Sequence, residues 1–162
     1  MTKNKKGFTI IEVVLVLAIA GLIFLMVFIA LPALQRSQRN TRRRQDMARI
    51  LSAFNDYQAN NSGKMPDSSK TTSFMENYVG KGEQSQDPDG TSYTLLAPST
   101  PSSDNTDYYK SGTQPTEVNH NIYYWQNAKC GSEGKVDQGK GDRDIAIFYI
   151  LEGGAIYCGD NQ

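Results

Sequence analysis

Nineteen consecutive residues, Val13 to Leu31, carry neither a charge nor a polar side chain. No other feature limits so severely what this chain can fold into. Extended through Pro32 to Leu34 the run reaches 22 residues, or roughly 33 Å of helix at ~1.5 Å per residue. That matches the ~30 Å hydrocarbon core of a bilayer, so the segment reads as a membrane-spanning helix. A cleaved secretory signal is the competing reading. Its apolar core would span about 7–15 residues and end at a small-residue cleavage site. The run here is longer, and it passes directly into further helix-like sequence.

The rest of the chain is hydrophilic, and charge is distributed as unevenly as hydropathy. Residues 1–44 hold eight basic groups and one acid, Glu12, while residues 45–162 hold nine basic groups and sixteen acids. The formal net charge of zero thus conceals a +7 segment and a −7 segment. The first suits a membrane surface; the second stays soluble beside copies of itself. A length of 162 residues suffices for one domain of ordinary size.

Glu12 does not fit a plain anchor. A carboxylate at the edge of an apolar run is costly if drawn into the bilayer, so it is a functional candidate whose partner must be named. The segment Lys5-Lys6-Gly7-Phe8-Thr9-Ile10-Ile11-Glu12 supplies one. A cut between Gly7 and Phe8 would give Phe8 a free α-amine close to Glu12. Cation and anion could then neutralise each other, within one chain or between neighbours.

Lys3, Lys5, Lys6, Gly7, Phe8, Thr9 and Glu12, followed by the apolar run, stand in the order of a basic leader, a glycine, Phe-Thr-x-x-Glu and a hydrophobic helix. In this the first third of the chain resembles the type IV prepilins and their secretion-system relatives, the pseudopilins. The resemblance implies that a membrane aspartyl prepilin peptidase cuts after Gly7 and that Phe8 is N-methylated. It implies that Glu12 pairs with the Phe8 amine of an adjacent subunit. The expected partners are other copies of the chain in a helical filament, the prepilin peptidase, the pilus assembly machinery and, before assembly, the cytoplasmic membrane. The expected function is that of a structural subunit of a surface type IV pilus serving adhesion, twitching motility or DNA uptake. The alternatives are a pseudopilin of a type II secretion or competence system, and a single-pass membrane-anchored ligand-binding protein. Two features depart from the family pattern. The helix proline, Pro32, comes about three residues later than usual, which displaces any kink it causes. Five arginines (Arg36, Arg39, Arg42, Arg43 and Arg44) follow the run against three lysines before it, a balance that by itself opposes an N-inside orientation.

Beyond the run, Met47, Ile50, Leu51, Phe54 and Tyr57 or Gln58 recur at the i, i+3, i+4, i+7 spacing of an amphipathic helix. One helix from about Thr9 to about Asn60 is predicted, stopped by Asn60-Asn61-Ser62-Gly63. Its apolar stripe must pack on the remainder of the chain. Phe74, Met75, Tyr78 and Val79 predict a short helix, Tyr93–Leu96 a first strand, and Pro98–Gln114 an exposed loop. Asn121–Trp125 and Ile145–Leu151 are rich in strand formers, and Glu152-Gly153-Gly154 turns the chain into a hairpin partner, Ala155–Cys158. The fold class is therefore α+β: a long N-terminal helix, half membrane-spanning and half amphipathic, packed on a small antiparallel β-sheet, the layout of pilins. The segments are a leader over 1–7, a transmembrane and assembly helix over 8–34, its amphipathic half over 35–62, and a soluble head over 63–162 with a loop region at 63–118.

Cys130 and Cys158 are the two cysteines. In a polar domain behind a membrane segment they suggest a disulfide, with two buried free thiols as the alternative. A bridge would close a loop of about 29 residues and contribute ~3–4 kcal/mol in the chain-entropy model. Asp87-Pro88-Asp89-Gly90 offers Asp87 and Asp89 as weak calcium ligands, but a plain turn is the simpler reading; no other cofactor is expected. Asp137, Asp142 and Asp144 read as a solvated loop by the same reasoning. The arginines at 36–44 invite a DNA-binding reading, whereas their position favours lipid headgroups and acidic neighbours. Tyr123, Tyr124 and Trp125 are expected to serve packing before ligand stacking. His120 lacks a Ser or Cys partner motif, and no phosphate-binding glycine loop occurs, so no enzyme is indicated.

Overall fold

The computed structural model describes residues 7–80, 85–96, 120–134, 136–139 and 141–162. The leader lysines Lys3, Lys5 and Lys6 and the loop expected over Pro98–Gln114 lie outside the described residues. By its contacts the chain divides into two units, Met1–Gln38 and Arg39–Gln162.

Helix α1 runs from Ile10 to Asn60 and contributes to both units. In the first unit its apolar side chains are exposed, with Leu22 at 68% and Phe28 at 73%. By length and composition it is long and apolar enough to cross a membrane. Pro32 lies inside α1, and the helix continues through it. Proline forfeits one backbone bond and crowds the carbonyl four residues earlier. The strong helix formers around it, Ala30, Leu31, Ala33 and Leu34, carry the helix on.

In the second unit Met47, Ile50, Phe54, Tyr57 and Gln58 of the predicted stripe are buried, joined by Ala53, while Leu51 is only partly buried. The helix ends where Ser62 (φ 56°) and Gly63 (φ 79°) turn left-handed and the Gly63 N–H donates to the Gln58 carbonyl at 2.8 Å. Helix α2, Thr71–Phe74, passes into a π-helical turn over Met75–Val79, so the expected short helix begins three residues earlier than its apolar pattern suggested.

The head is the α+β arrangement read from the sequence. Strands β1 (Thr94–Leu96), β2 (Asn121–Gln126), β5 (Ile145–Ile150) and β6 (Ile156–Asp160) form one sheet in the order β1-β2-β5-β6. A separate hairpin pairs β3 (Ala128–Cys130) with β4 (Val136–Gln138). The sheet is mixed, because β1 pairs parallel to β2 whereas β2–β5 and β5–β6 are antiparallel. A parallel pair needs a connection of about a dozen residues or more, and the segment 97–120 between β1 and β2 supplies the length. The turn at Gly153 and Gly154, both at positive φ, is tight enough for a hairpin between β5 and β6.

All six residues of β5 are buried, because both faces of the sheet are covered. On one face Ile122, Tyr124, Ile145, Ile147 and Tyr149 pack with the α1 stripe and Phe74. The Phe54 ring lies 4.4 Å from Phe74 and 4.9 Å from Tyr124, centroid to centroid. On the other face Trp125, Ala146, Phe148 and Ile150 pack with Ala128 and Val136 of the small hairpin. The three aromatics at 123–125 thus serve packing, Tyr124 toward α1 and Trp125 toward the hairpin. The Cys130–Cys158 disulfide, with Cα atoms 5.8 Å apart, ties that hairpin to β6.

Candidate processing and assembly site

Residues Gly7 to Thr9 precede the first helical residue, Ile10. Gly7 and Phe8 are exposed, Phe8 at 88%. A Cβ built on Gly7 meets nothing within 4 Å, so the fold does not itself require glycine there. The Gly7–Phe8 bond is open to an enzyme, and the residue before it is free of structural duty.

Thr9 and Glu12 close the start of α1 reciprocally. The Thr9 N–H and Oγ–H donate to Glu12 Oε2 at 2.8 and 2.7 Å, and the Glu12 N–H donates to Thr9 Oγ at 3.3 Å. This is a capping box, in which two side chains satisfy backbone donors that a helix start leaves unpaired. The sequence signal was present: Thr9-Ile10-Ile11-Glu12 ahead of an apolar run is the [ST]-x-x-[DE] pattern. The sequence reading took Glu12 as a charge partner and missed its second role. Among the described residues only Oε2 of the carboxylate accepts these bonds, which leaves Oε1 for another donor.

Residues 2–28, which include this segment, match the family model described as the prokaryotic N-terminal methylation motif. The chain thus carries the motif that marks type IV prepilin- and pseudopilin-like proteins. No curated protein and no solved structure matches it at a significant level.

The head of this pilin-like protein holds a second polar site, where α1 meets the sheet. Arg43, at the edge of the apolar stripe, is buried. Its Nε and Nη2 donate to Asp87 Oδ2 and Oδ1 at 2.6 and 2.7 Å, and its Nη1 donates to Glu152 Oε2 at 3.0 Å. Arg39 donates to Glu152 through Nε at 2.8 Å and Nη2 at 2.5 Å. Asn40 donates to the Glu152 carbonyl and accepts from its N–H, both at 3.0 Å. Tyr149 donates its hydroxyl to Asp87 Oδ2 at 3.0 Å, and Tyr93 to Asp46 Oδ2 at the same distance. Burial opposes the charge on Arg43, but its hydrogen bonds to Asp87 and Glu152 outweigh this and lift its pKa. The hydrogen bond from Arg39 leads in holding the Glu152 carboxyl down to about 2, against burial.

These contacts bear out acidic neighbours for two members of the arginine cluster. Arg39 and Arg43 pair with acids of their own head, because the helix face carrying the apolar stripe carries them too. They also redefine the Asp87-Pro88-Asp89-Gly90 segment. It is a turn, with the Gly90 N–H donating to the Asp87 carbonyl at 2.8 Å. Asp87, Asp89 and His120 each offer one atom within 4.8 Å of the others. Yet both Asp87 oxygens already accept from Arg43, and Oδ1 also accepts from the Asp89 N–H at 3.1 Å. Asp89 Oδ2 sits 2.7 Å from His120 Nε2 while its Oδ1 accepts from the Thr91 N–H. The oxygens of both carboxylates are thus partnered within the chain. Asp142 and Asp137 are exposed, and Asp144 accepts from the Gly141 N–H at 2.8 Å, as befits a solvated turn.

Proposed function

We propose that this chain is a structural subunit of a surface type IV pilus, assembled through its N-terminal helix. A prepilin peptidase cleaves after Gly7 and methylates the Phe8 amine. The mature chain resides in the cytoplasmic membrane by a single pass, and the assembly machinery then packs its apolar helix against those of other copies. The observation that carries the reading is the uncharged stretch of α1 from Val13 to Leu34, exposed along almost all its length, which starts inside the matched methylation motif and runs past its end. Such a surface needs lipid first and protein later.

In the filament core an unpaired charge is expensive. Glu12 meets the Phe8 ammonium of an adjacent copy through the oxygen its own cap does not use. The openness of Gly7 supports a peptidase requirement for glycine, since no contact among the described residues explains it. Intact mass and N-terminal sequencing of the purified mature protein test the reading. A start at N-methylated Phe8 supports it; a mature chain still beginning at Met1 overturns it.

The Asp-Pro-x-Gly turn ahead of the sheet, which resembles that of major pseudopilins, keeps a secretion or competence pseudopilin as the second reading. Deletion separates them. Loss of surface pili indicates the pilus, and loss of a secreted activity with pili intact indicates the pseudopilus.

A further inference from the structure

Among the described residues, Arg39 and Arg43 form ion pairs with acids of the head, Glu152 and Asp87. Arg42 and Arg44 flank Arg43 at about 100° to either side, as adjacent residues of an α-helix do, and both are exposed. Arg42 lies over a cleft that it forms with Asp46, Arg49 and the turn from Gln86 to Gly90. Set against them is a head with a surplus of the opposite charge. With Asp87 and Glu152 set aside, residues 45–162 still hold fourteen acids against nine bases. Removal of the leader takes away Lys3, Lys5 and Lys6, so the remaining positive charge of the N-terminal segment is concentrated in these arginines.

We propose that Arg42 and Arg44 form an interaction surface for a second copy of this chain, gripping carboxylates on the acidic head of a neighbouring subunit. The inference rests on the filament reading above and adds to it a contact outside the apolar core. Charge complementarity favours this occupant, because one chain supplies both signs on separate segments. A planar guanidinium suits the task, since it can fork onto a carboxylate with two parallel hydrogen bonds.

The test uses the full-length chain expressed in its own pilus-forming cells. R42E/R44E is expected to lower the yield of sheared, pelletable filaments at least about tenfold, the order of effect of like-charge juxtaposition at an interface. Processing at Gly7–Phe8, membrane residence and the melting transition of the detergent-solubilised subunit should stay as in wild type. A second variant, R42K/R44K, places amines at the same positions. Filaments assembled from a mixture of isotopically labelled and unlabelled copies are treated with a carbodiimide, which joins amines to carboxylates in direct contact. Crosslinks from position 42 or 44 to a head carboxylate of the other isotopic form support the proposal. Wild-type filament yield from R42E/R44E, or R42K/R44K filaments without such crosslinks, overturns it. Loss of membrane residence in R42E/R44E assigns the arginines to lipid and overturns it equally. A wild-type chain that forms no filaments overturns the filament reading and this proposal with it, an outcome distinct from the others.

Discussion

Arg43 and Asp87, 44 residues apart in sequence, meet through two near-parallel hydrogen bonds of 2.6 and 2.7 Å, with side chains 3% and 0% exposed. The pair joins α1 to the turn ahead of β1, and Tyr149 of β5 adds a third element by donating to the same carboxylate. A buried ion pair is not in itself a source of large net stability, because desolvation offsets attraction. Its removal by halves is another matter.

Asp87→Leu or Arg43→Met should each destabilise the head by about 3–5 kcal/mol, because each leaves a buried group without its counter-charge. The double variant Arg43→Met/Asp87→Leu should lose clearly less than the sum of the two. Denaturant unfolding of the detergent-solubilised chain, followed by Trp125 fluorescence, checks both. Strict additivity would show that the two side chains are not coupled.

Glu12→Ala and Glu12→Gln separate the two roles of this residue. Glutamine can still complete a capping box, but it cannot neutralise an ammonium ion. Both variants should be processed and remain in the membrane, and both should assemble poorly. Helical content at the start of α1, read by amide exchange at Ile10–Val13, should fall only for alanine. Normal filament yield from Glu12→Gln would reduce Glu12 to a helix cap.

The ion pairs of the head make its stability fall in acid. Glu152 is held at about 2 in the fold, against an ordinary 4.5. Burial would raise the Asp89 pKa, but hydrogen bonds from Thr91 and His120 bring it from 3.8 to about 2. A depressed folded-state pKa stabilises fully above the unfolded value and ceases to do so once pH drops through the folded one. The melting temperature should therefore be insensitive to these two groups above about pH 5 and should decline between about pH 4.5 and 2. Glu152→Gln should flatten that decline. An equally steep slope in the variant would place the acid sensitivity elsewhere.

Cys130→Ser/Cys158→Ser should cost about 3–4 kcal/mol, the loop-closure value for a bridge of this span. The loss should be local before it is global. The β3–β4 hairpin and the face of Trp125 and Phe148 should lose exchange protection most, while the α1-facing core keeps its protection. Uniform loss of protection across both faces would show that the sheet does not fold without the bridge.

Legibility in the sequence followed the range of the contacts. The stripe Met47, Ile50, Phe54 and Tyr57 could be read because helical period and burial are local facts repeated every few residues. Strand β5 stood out because a doubly covered strand is apolar at every position. The hairpin of β3 and β4 did not. Each strand has three residues, too few for alternation to show, and its neighbours are glycines and charges. The capping box was legible but overlooked beside the larger question that Glu12 poses.

By itself the sequence determined that this chain carries a membrane-length apolar helix within and beyond an N-terminal methylation motif and continues as an amphipathic helix into a small α+β head. Period, length and motif spacing are properties of contiguous residues, so no folding is needed to read them. Only the tertiary structure decided which arginines remain available. Arg39 and Arg43 reach Glu152 over separations of 113 and 109 residues, and nothing in local spacing distinguishes them from Arg42 and Arg44. It also decided that β1 runs parallel to β2 and that Asp87 holds a guanidinium. These outcomes depend on where the sheet settles against α1, which is set by the packing of the whole core.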